Sequence, residues 1–225
     1  MANRIPDAGS HAGFYRAYGK RGFDLALSVI GLVLFGVPMA ALSLLIRLVD
    51  GSPVLFRQQR VGRGGKLFTI YKFRTMTNRP VAGSSITVAG DARVTAIGKW
   101  LRRFKLDELP QLLNVLKGDM SLVGPRPDVP GYVDQLEGEE ARVKEVRPGI
   151  TGPASLAFRN EEALLAQAAD PIALNDRVLF PAKVRLNLEY LDAISFVSDI
   201  GYILKTVIPG QAEPVPDLPC LPHRA

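Results

Sequence analysis

Apolar residues fall along this chain in three patterns, and each predicts a different kind of element. The first is a run over residues 25–46, which holds no charged side chain. As a helix it would be long enough to reach across about one bilayer core. Pro38 lies inside it, with Gly36 two residues before. A proline there removes one backbone donor and crowds the carbonyl of Leu34. Both flanks are basic: Arg16, Lys20 and Arg21 on one side, Arg47, Arg57 and Arg60 on the other. Excess Lys and Arg mark cytoplasmic flanks, so both ends belong on the same face. Residues 16–50 are therefore expected to form a re-entrant helix–break–helix hairpin in the cytoplasmic leaflet, broken at Pro38. A signal peptide would be shorter and end in small residues, whereas Arg47 follows here.

The second pattern is a pair of aromatic and β-branched segments, 54–60 and 66–76, separated by Gly62, Gly64 and Gly65. They read as a β-hairpin. The third is helical periodicity. Residues 94–104 form a basic helix. A further helix starts near Asp107, because Leu109, Leu112, Leu113 and Leu116 recur at i, i+3, i+4 and i+7. Pro110 fits its first turn and Gly118 its end. Residues 133–146 read as a polar helix, and 161–168, 182–191 and 195–207 as helices. The last carries Ile200, Ile203, Leu204 and Val207 on one stripe, which suits the core or a membrane surface equally. Residues 78–90, 122–130 and 147–153 read as loops.

The predicted fold class is α+β: a mostly helical domain with a small β-hairpin, attached to the N-terminal membrane hairpin. The divisions are a flexible N-terminus (1–15), the membrane segment (16–50), a cytoplasmic domain (51–208) and a proline-rich disordered tail (209–225).

Composition narrows the chemistry. Of the 225 residues, 47% are hydrophobic and 22% charged, which excludes a wholly disordered chain. The single cysteine, Cys220, excludes an intrachain disulfide or a cysteine-built metal site. His11 and His223 lie near the chain ends, which argues against a histidine-dependent triad or zinc centre. The acid, base or nucleophile is left to Asp, Glu, Lys, Ser, Thr or Tyr. The net charge is +6, but residues 1–106 hold 17 Lys and Arg against 4 Asp and Glu. A basic half suits nucleic acid, phospholipid or a phosphorylated substrate. A solvated basic face is the plain alternative.

Asp107 and Glu108 are adjacent carboxylates at the expected helix start. A helix cap explains them structurally. The same position would favour an ionised carboxylate and attract phosphate. Arg102 lies five residues earlier. Arg126 stands between two prolines in Gly124-Pro125-Arg126-Pro127, and Arg147 precedes Pro148-Gly149. Prolines stiffen the backbone around each cation, as a phosphate clamp needs.

The segment Lys-Leu-Asp-Glu-Leu-Pro-Gln-Leu-Leu-Asn-Val-Leu-Lys-Gly-Asp-Met-Ser-Leu-Val-Gly-Pro-Arg-Pro (105–127) resembles the core motif of bacterial sugar transferases, the monotopic phosphoglycosyl transferases. Residues 71–76 (Tyr-Lys-Phe-Arg-Thr-Met), 147–152 (Arg-Pro-Gly-Ile-Thr-Gly) and 20–24 (Lys-Arg-Gly-Phe-Asp) resemble further family motifs in the same order. The resemblance covers about residues 16–208. It implies transfer of a phospho-sugar from a UDP-sugar to undecaprenyl phosphate, with release of UMP, at the first membrane step of glycan assembly. It implies Asp107 as the nucleophile, Glu108 as a ligand of Mg²⁺, and Lys72, Arg102, Arg126 and Arg147 as phosphate-binding cations. It further implies a monotopic protein of the bacterial inner membrane, with phospholipid around it and downstream glycosyltransferases as partners. Two departures bear on this. Val37-Pro38 replaces the usual Ser-Pro at the helix break, and Pro153-Ala154-Ser155-Leu156 replaces Trp-Ala-Gln-Val, so sugar specificity is not carried over. A non-catalytic membrane scaffold is the alternative. A nucleic-acid partner is not expected, because the apolar run and the lack of a nucleic-acid motif argue against one.

Overall fold

A computed structural model describes residues 15–77 and 90–208. The expected flexible N-terminus up to residue 14, the loop at 78–89 and the tail at 209–225 lie outside the described residues.

After one π-turn (Tyr15–Gly19), α1 runs through Lys20–Val49 as 30 residues, with Pro38 inside it. The expected break does not interrupt this helix. One missing amide costs a single hydrogen bond, whereas a full break among apolar neighbours would strand several backbone groups. Its middle is bare: Val33 and Val37 are 80% and 81% exposed. Among the described residues, this is the one helix long and apolar enough to cross a membrane.

Both ends of α1 nevertheless hold the same domain. Near the N-terminal end, Arg21 donates to the carbonyls of Val115 and Leu116 at 2.7 and 3.1 Å. Asp24 Oδ1 accepts from the Leu122 amide at 3.0 Å. The Lys20 ammonium lies 2.5 Å from buried Asp199, which also accepts from the hydroxyls of Tyr15 and Tyr190. Near the other end, Ile46 is fully buried with Phe73 and Leu101, and Met39 and Leu42 pack on the same cluster. Arg74 then donates to the carbonyls of Asp50 and Gly51, just past the last turn.

The expected hairpin forms. Strands β1 (Leu55–Val61) and β2 (Leu67–Phe73) pair antiparallel from Leu55↔Phe73 to Val61↔Leu67. Gly64 and Gly65 turn the chain with φ of 66° and 76°. Helix α2 (Ala96–Arg103) follows, capped by the Thr95 side chain. Helix α3 (Gln111–Lys117) stops at Gly118, whose φ is 92°. Asn114 of α3 is fully buried and completes the edge of β2: its Oδ1 accepts from the Tyr71 amide at 3.1 Å and its Nδ2 donates to Thr69 O at 2.7 Å. The buried face of α3 is Gln111, Leu112, Asn114 and Val115. It is rotated from the predicted leucine stripe, and Leu113 faces outward.

Two stretches expected as loops contain strands instead. β3 (Ser121–Val123) and β4 (Gly149–Thr151) pair in parallel. At three residues each they are too short to show alternation. A glycine contact holds the crossing together: a Cβ on Gly149 would sit 2.2 Å from the Gly124 nitrogen, which no side chain tolerates. The polar helix expected over 133–146 is absent. Its place is taken by 3₁₀ turns, Val133–Gln135 and Gly138–Glu145. Gly138 has a φ of 55°, and Val143 is the one buried residue of the second turn, so no apolar stripe sustains an α-helix.

Short helices α4 (Pro153–Ala157), α5 (Glu161–Gln167) and α6 (Pro171–Leu174), then α7 (Phe180–Asp192) and α8 (Phe196–Val207), complete the domain. Helix α8 starts with a Ser195–Ser198 capping box. Its stripe divides: Ile203 packs on the core, while Leu204 and Val207 remain exposed.

Asn114→Leu leaves the Tyr71 amide and the Thr69 carbonyl without partners. It is expected to lower the unfolding free energy by about 2–4 kcal/mol, read as a shift in the denaturation midpoint of detergent-solubilised protein. An unchanged midpoint would contradict the edge-pairing role.

Candidate active site

Asp107 and Glu108 do not cap a helix. They lie in a 3₁₀ turn, Leu106–Glu108, and α3 begins only at Gln111. The residue before the turn, Lys105, adopts the left-handed conformation with φ 57° and ψ 21°. That conformation is costly for a branched-free but bulky side chain and recurs at functional sites. It reverses the chain sharply enough to turn both carboxylates inward. Asp107 and Glu108 are 7% and 8% exposed.

Their environments differ. Glu108 Oε1 accepts from Lys72 Nζ at 2.8 Å and from Arg126 at 2.7 Å. Burial opposes its charge, but Arg126 and Lys72 outweigh burial and hold the carboxyl well below the usual range. Lys72 comes from β2 and Arg126 from the proline-flanked loop after β3. Asp107 has no such partner. Its Oδ1 is buried and makes no hydrogen bond. Burial first, and then the Glu108 charge beside it, push its pKa up; the cations Lys72, Lys105 and Arg102 pull the other way. The expected stabilisation by a helix terminus is thus replaced by nearby cations.

Of the cations singled out in the sequence, Lys72 and Arg126 join this centre. Arg102 lies at its edge, pairing with Glu162 at 2.9 Å while its charge still reaches Asp107. Arg147 does not join it. Its Nε donates to Gly118 O, and its side chain lines a separate cavity that contains neither carboxylate. The reason is the parallel β3–β4 pairing: residue 126 follows the C-terminal end of β3, whereas residue 147 precedes the N-terminal end of β4. Sequence reasoning missed a polar rim around Arg126. Arg60 donates to Pro127 O at 3.2 Å, and its charge faces Arg126 and Asp128. Lys183 pairs with Glu161 at 2.6 Å, and Glu161 acts on both Arg126 and Asp128. Nothing in the sequence set Arg60 apart from Arg57 and Arg63.

No three His, Cys, Asp or Glu side chains cluster as a metal cage among the described residues. The pair at 107–108 still fits Mg²⁺, which commonly takes one or two carboxylates and fills its shell from phosphates and water. Both ion pairs of Glu108 are to Oε1. A buried carboxylate oxygen without a partner, flanked by cations, is suited to attack or bind a polyanion that the cations draw in.

The pattern of the bacterial sugar transferase family matches residues 15–210. The chain belongs to that family. Among its relatives is the UDP-N-acetylgalactosamine-undecaprenyl-phosphate N-acetylgalactosaminephosphotransferase of Aeromonas hydrophila, 40% identical over 85% of this chain and 43% of that protein. The UDP-glucose:undecaprenyl-phosphate glucose-1-phosphate transferase of Escherichia coli is 37% identical over 85% of this chain and 40% of its own length. The chain therefore spans about two fifths of those two relatives. It covers 93% of the exopolysaccharide production protein PSS of Rhizobium leguminosarum bv. phaseoli, at 38% identity.

The two carboxylates should respond oppositely to neutralisation. The folded state holds the Asp107 proton to higher pH than the unfolded chain does. Its stability contribution is full below the ordinary carboxylate range and is lost as pH rises through the raised value. Asp107→Asn is expected to stabilise the protein near neutral pH, with the gain vanishing at low pH. Glu108, whose pKa is depressed, stabilises above the ordinary range and loses this as pH falls. Glu108→Gln should cost about 3 kcal/mol near neutrality, since it breaks a buried ion pair. Unfolding measured across pH checks both signs.

Proposed function

We propose that the chain transfers a phospho-sugar from a UDP-sugar to undecaprenyl phosphate and releases UMP. The observation that carries this reading is the contrast between Glu108, doubly paired, and Asp107 Oδ1, buried and unpartnered beside the same cations. The named relatives, which act on undecaprenyl phosphate with nucleotide sugars, support the substrate class.

The reaction then takes two balanced steps. An Asp107 carboxylate oxygen attacks the phosphorus that bears the sugar. The P–O bond to the uridylyl phosphate breaks and UMP leaves with that oxygen. A phosphate oxygen of the polyprenol next attacks the same phosphorus, the bond to Asp107 breaks, and a polyprenyl diphosphate sugar forms. One nucleophile thus serves two bulky substrates in turn. Arg126 shares only part of its guanidinium with Glu108, and its side chain is 43% exposed, so it retains donors for phosphate oxygens. Lys72, held against Glu108, adds fixed positive charge, and Arg102 lies at the rim. Such preset cations stabilise the charge that builds on the phosphoryl group. Mg²⁺ would be held by Glu108 and would supply neutralisation of diphosphate charge.

The same reading places the site at the cytoplasmic face of a bacterial inner membrane. Helix α1 spans about 45 Å at the usual rise, yet both its ends bind one domain. A spanning helix would leave one end across the bilayer from that domain. We therefore infer that α1 enters and leaves through one leaflet, bending at Pro38. Leu112 packs against Gly31 of α1, and Leu106 packs on the cluster around Ile46, so the catalytic turn rides on the anchor. This brings Asp107 to the layer where a lipid phosphate lies. The product would enter a capsule, exopolysaccharide, O-antigen or glycoprotein pathway, with downstream glycosyltransferases as partners.

Asp107→Ala should lower lipid-dependent UMP release from a panel of UDP-sugars by at least about a thousandfold, as loss of a nucleophile does, while the protein stays folded. Turnover near wild type would instead support a scaffold whose carboxylates are structural. For the anchor, cysteines placed at Tyr18 and Leu48 should both resist an impermeant maleimide in intact spheroplasts and react once the membrane is opened. Labelling of either from outside would refute the one-leaflet course.

A further inference from the structure

A cavity of about 410 Å³ lies away from the Asp107–Glu108 centre. Arg16, Lys20, Arg21, Arg63 and Arg147 line it, against the two carboxylates Asp24 and Glu145. Two of the cations are matched by carboxylates. Lys20 pairs with Asp199, and Arg16 lies 3.6 Å from Glu145. The other three are not. Arg21 is held by two neutral carbonyls, Val115 and Leu116. Arg147 is held through Nε by Gly118 O, which leaves its terminal nitrogens without a bond among the described residues. Arg63 stands on the hairpin turn, with no side-chain partner among the described residues.

Backbone carbonyls thus fix Arg21 and Arg147 in place without cancelling their charge. Arg147 feels its neighbours: burial first, then the Arg21 and Arg63 charges, push its pKa down, and the Asp24 carboxylate opposes them. Three like charges facing one cavity are costly when it is empty and favourable when an anion enters. The donors available are guanidinium forks, which match phosphate oxygens in pairs. The cavity also lies at a defined level of the chain. Residues 16–24 line it, immediately before the uncharged run that starts at Leu25. On the proposed reading of α1 as a membrane anchor, it opens where α1 meets the polar surface of the membrane.

We propose that this cavity is a second phosphate-binding site, separate from the centre around Asp107, in which Arg63, Arg147 and Arg21 hold the phosphate of an anionic phospholipid headgroup or a free phosphate ion. The headgroup fits the placement, since the lipid phosphate and the first turn of α1 share one layer. Bound there, it would brace the end of α1 that Lys20 and Asp199 also secure. The inference does not rest on the transfer reaction, and its test needs no turnover.

The test uses the full chain purified in a neutral detergent. Retained lipid is counted by native mass spectrometry after titration with phosphatidylglycerol, with phosphatidylcholine as the control. Thermal stability is followed in parallel against inorganic phosphate. Wild type is compared with Arg63→Gln, on an exposed turn, and with Arg147→Gln. Loss of one charged donor to a phosphate should weaken binding by about tenfold. Phosphatidylglycerol binding that exceeds phosphatidylcholine binding and falls in Arg63→Gln identifies the headgroup as occupant. Stabilisation by inorganic phosphate that falls in the same variant identifies the free ion. Either result supports the site. Absence of both effects, or effects equal in wild type and in both variants, overturns it.

Discussion

Glu108 is a buried negative charge that the fold can hold only because two cations reach it from different segments. Lys72 arrives on β2 and Arg126 on the loop after β3. Removing either would leave this interior charge with one partner in place of two, which is more costly than losing an exposed ion pair. The hairpin, the 3₁₀ turn and the β3–β4 crossing are therefore bound to one another through a single carboxylate oxygen. Asn114 sets the approach of β2 by pairing with its edge, and Gly124 and Gly149 let the crossing close tightly enough to aim Arg126. Asp107 gains its character from what Glu108 takes. With Lys72 and Arg126 committed to its neighbour, it sits among cations without a hydrogen bond to its buried Oδ1.

The anchor and the site are one construction. Residues 106 and 112 flank the carboxylates and both rest on α1, one toward each end. Polar contacts fasten the N-terminal end of the helix, and apolar packing plus the Arg74 clasp fasten the other. The exposed apolar surface lies between. A helix tied down at both ends with a bare middle is suited to lie in lipid while the domain stays in water. It would bring a soluble diphosphate sugar and a membrane-bound acceptor to one nucleophile.

Much of this was legible in the sequence, for physical reasons that can be traced. The β-hairpin announced itself through aromatic and β-branched runs split by glycines. The stop of α3 at Gly118 followed from the left-handed conformation that glycine adopts without penalty. Asp107, Glu108, Lys72 and Arg126 were identified through motif resemblance and meet in space. What stayed hidden depends on non-local contacts. Three-residue strands have no period to detect. The polar segment at 133–146 had helical composition but no face to bury. Asp107 was expected at the helix start because the left-handed Lys105 that precedes its 3₁₀ turn leaves no mark on the hydrophobic pattern. Arg147 was grouped with the site on motif grounds, and the parallel pairing of β3 with β4 puts it at the opposite end of the strands from Arg126. Arg74, inside a family motif, clasps the end of α1 through the carbonyls of Asp50 and Gly51.

The central claim is that Asp107 carries the phospho-sugar between the two substrates. Its most direct test is the intact mass of the protein after incubation with a UDP-sugar and Mg²⁺ in the absence of polyprenol phosphate. The account predicts a mass increase equal to one phospho-sugar, located on the peptide containing Asp107, absent in Asp107→Asn and discharged when undecaprenyl phosphate is added. Lipid-dependent UMP release by wild type without any such adduct, or with the adduct on another residue, would contradict it.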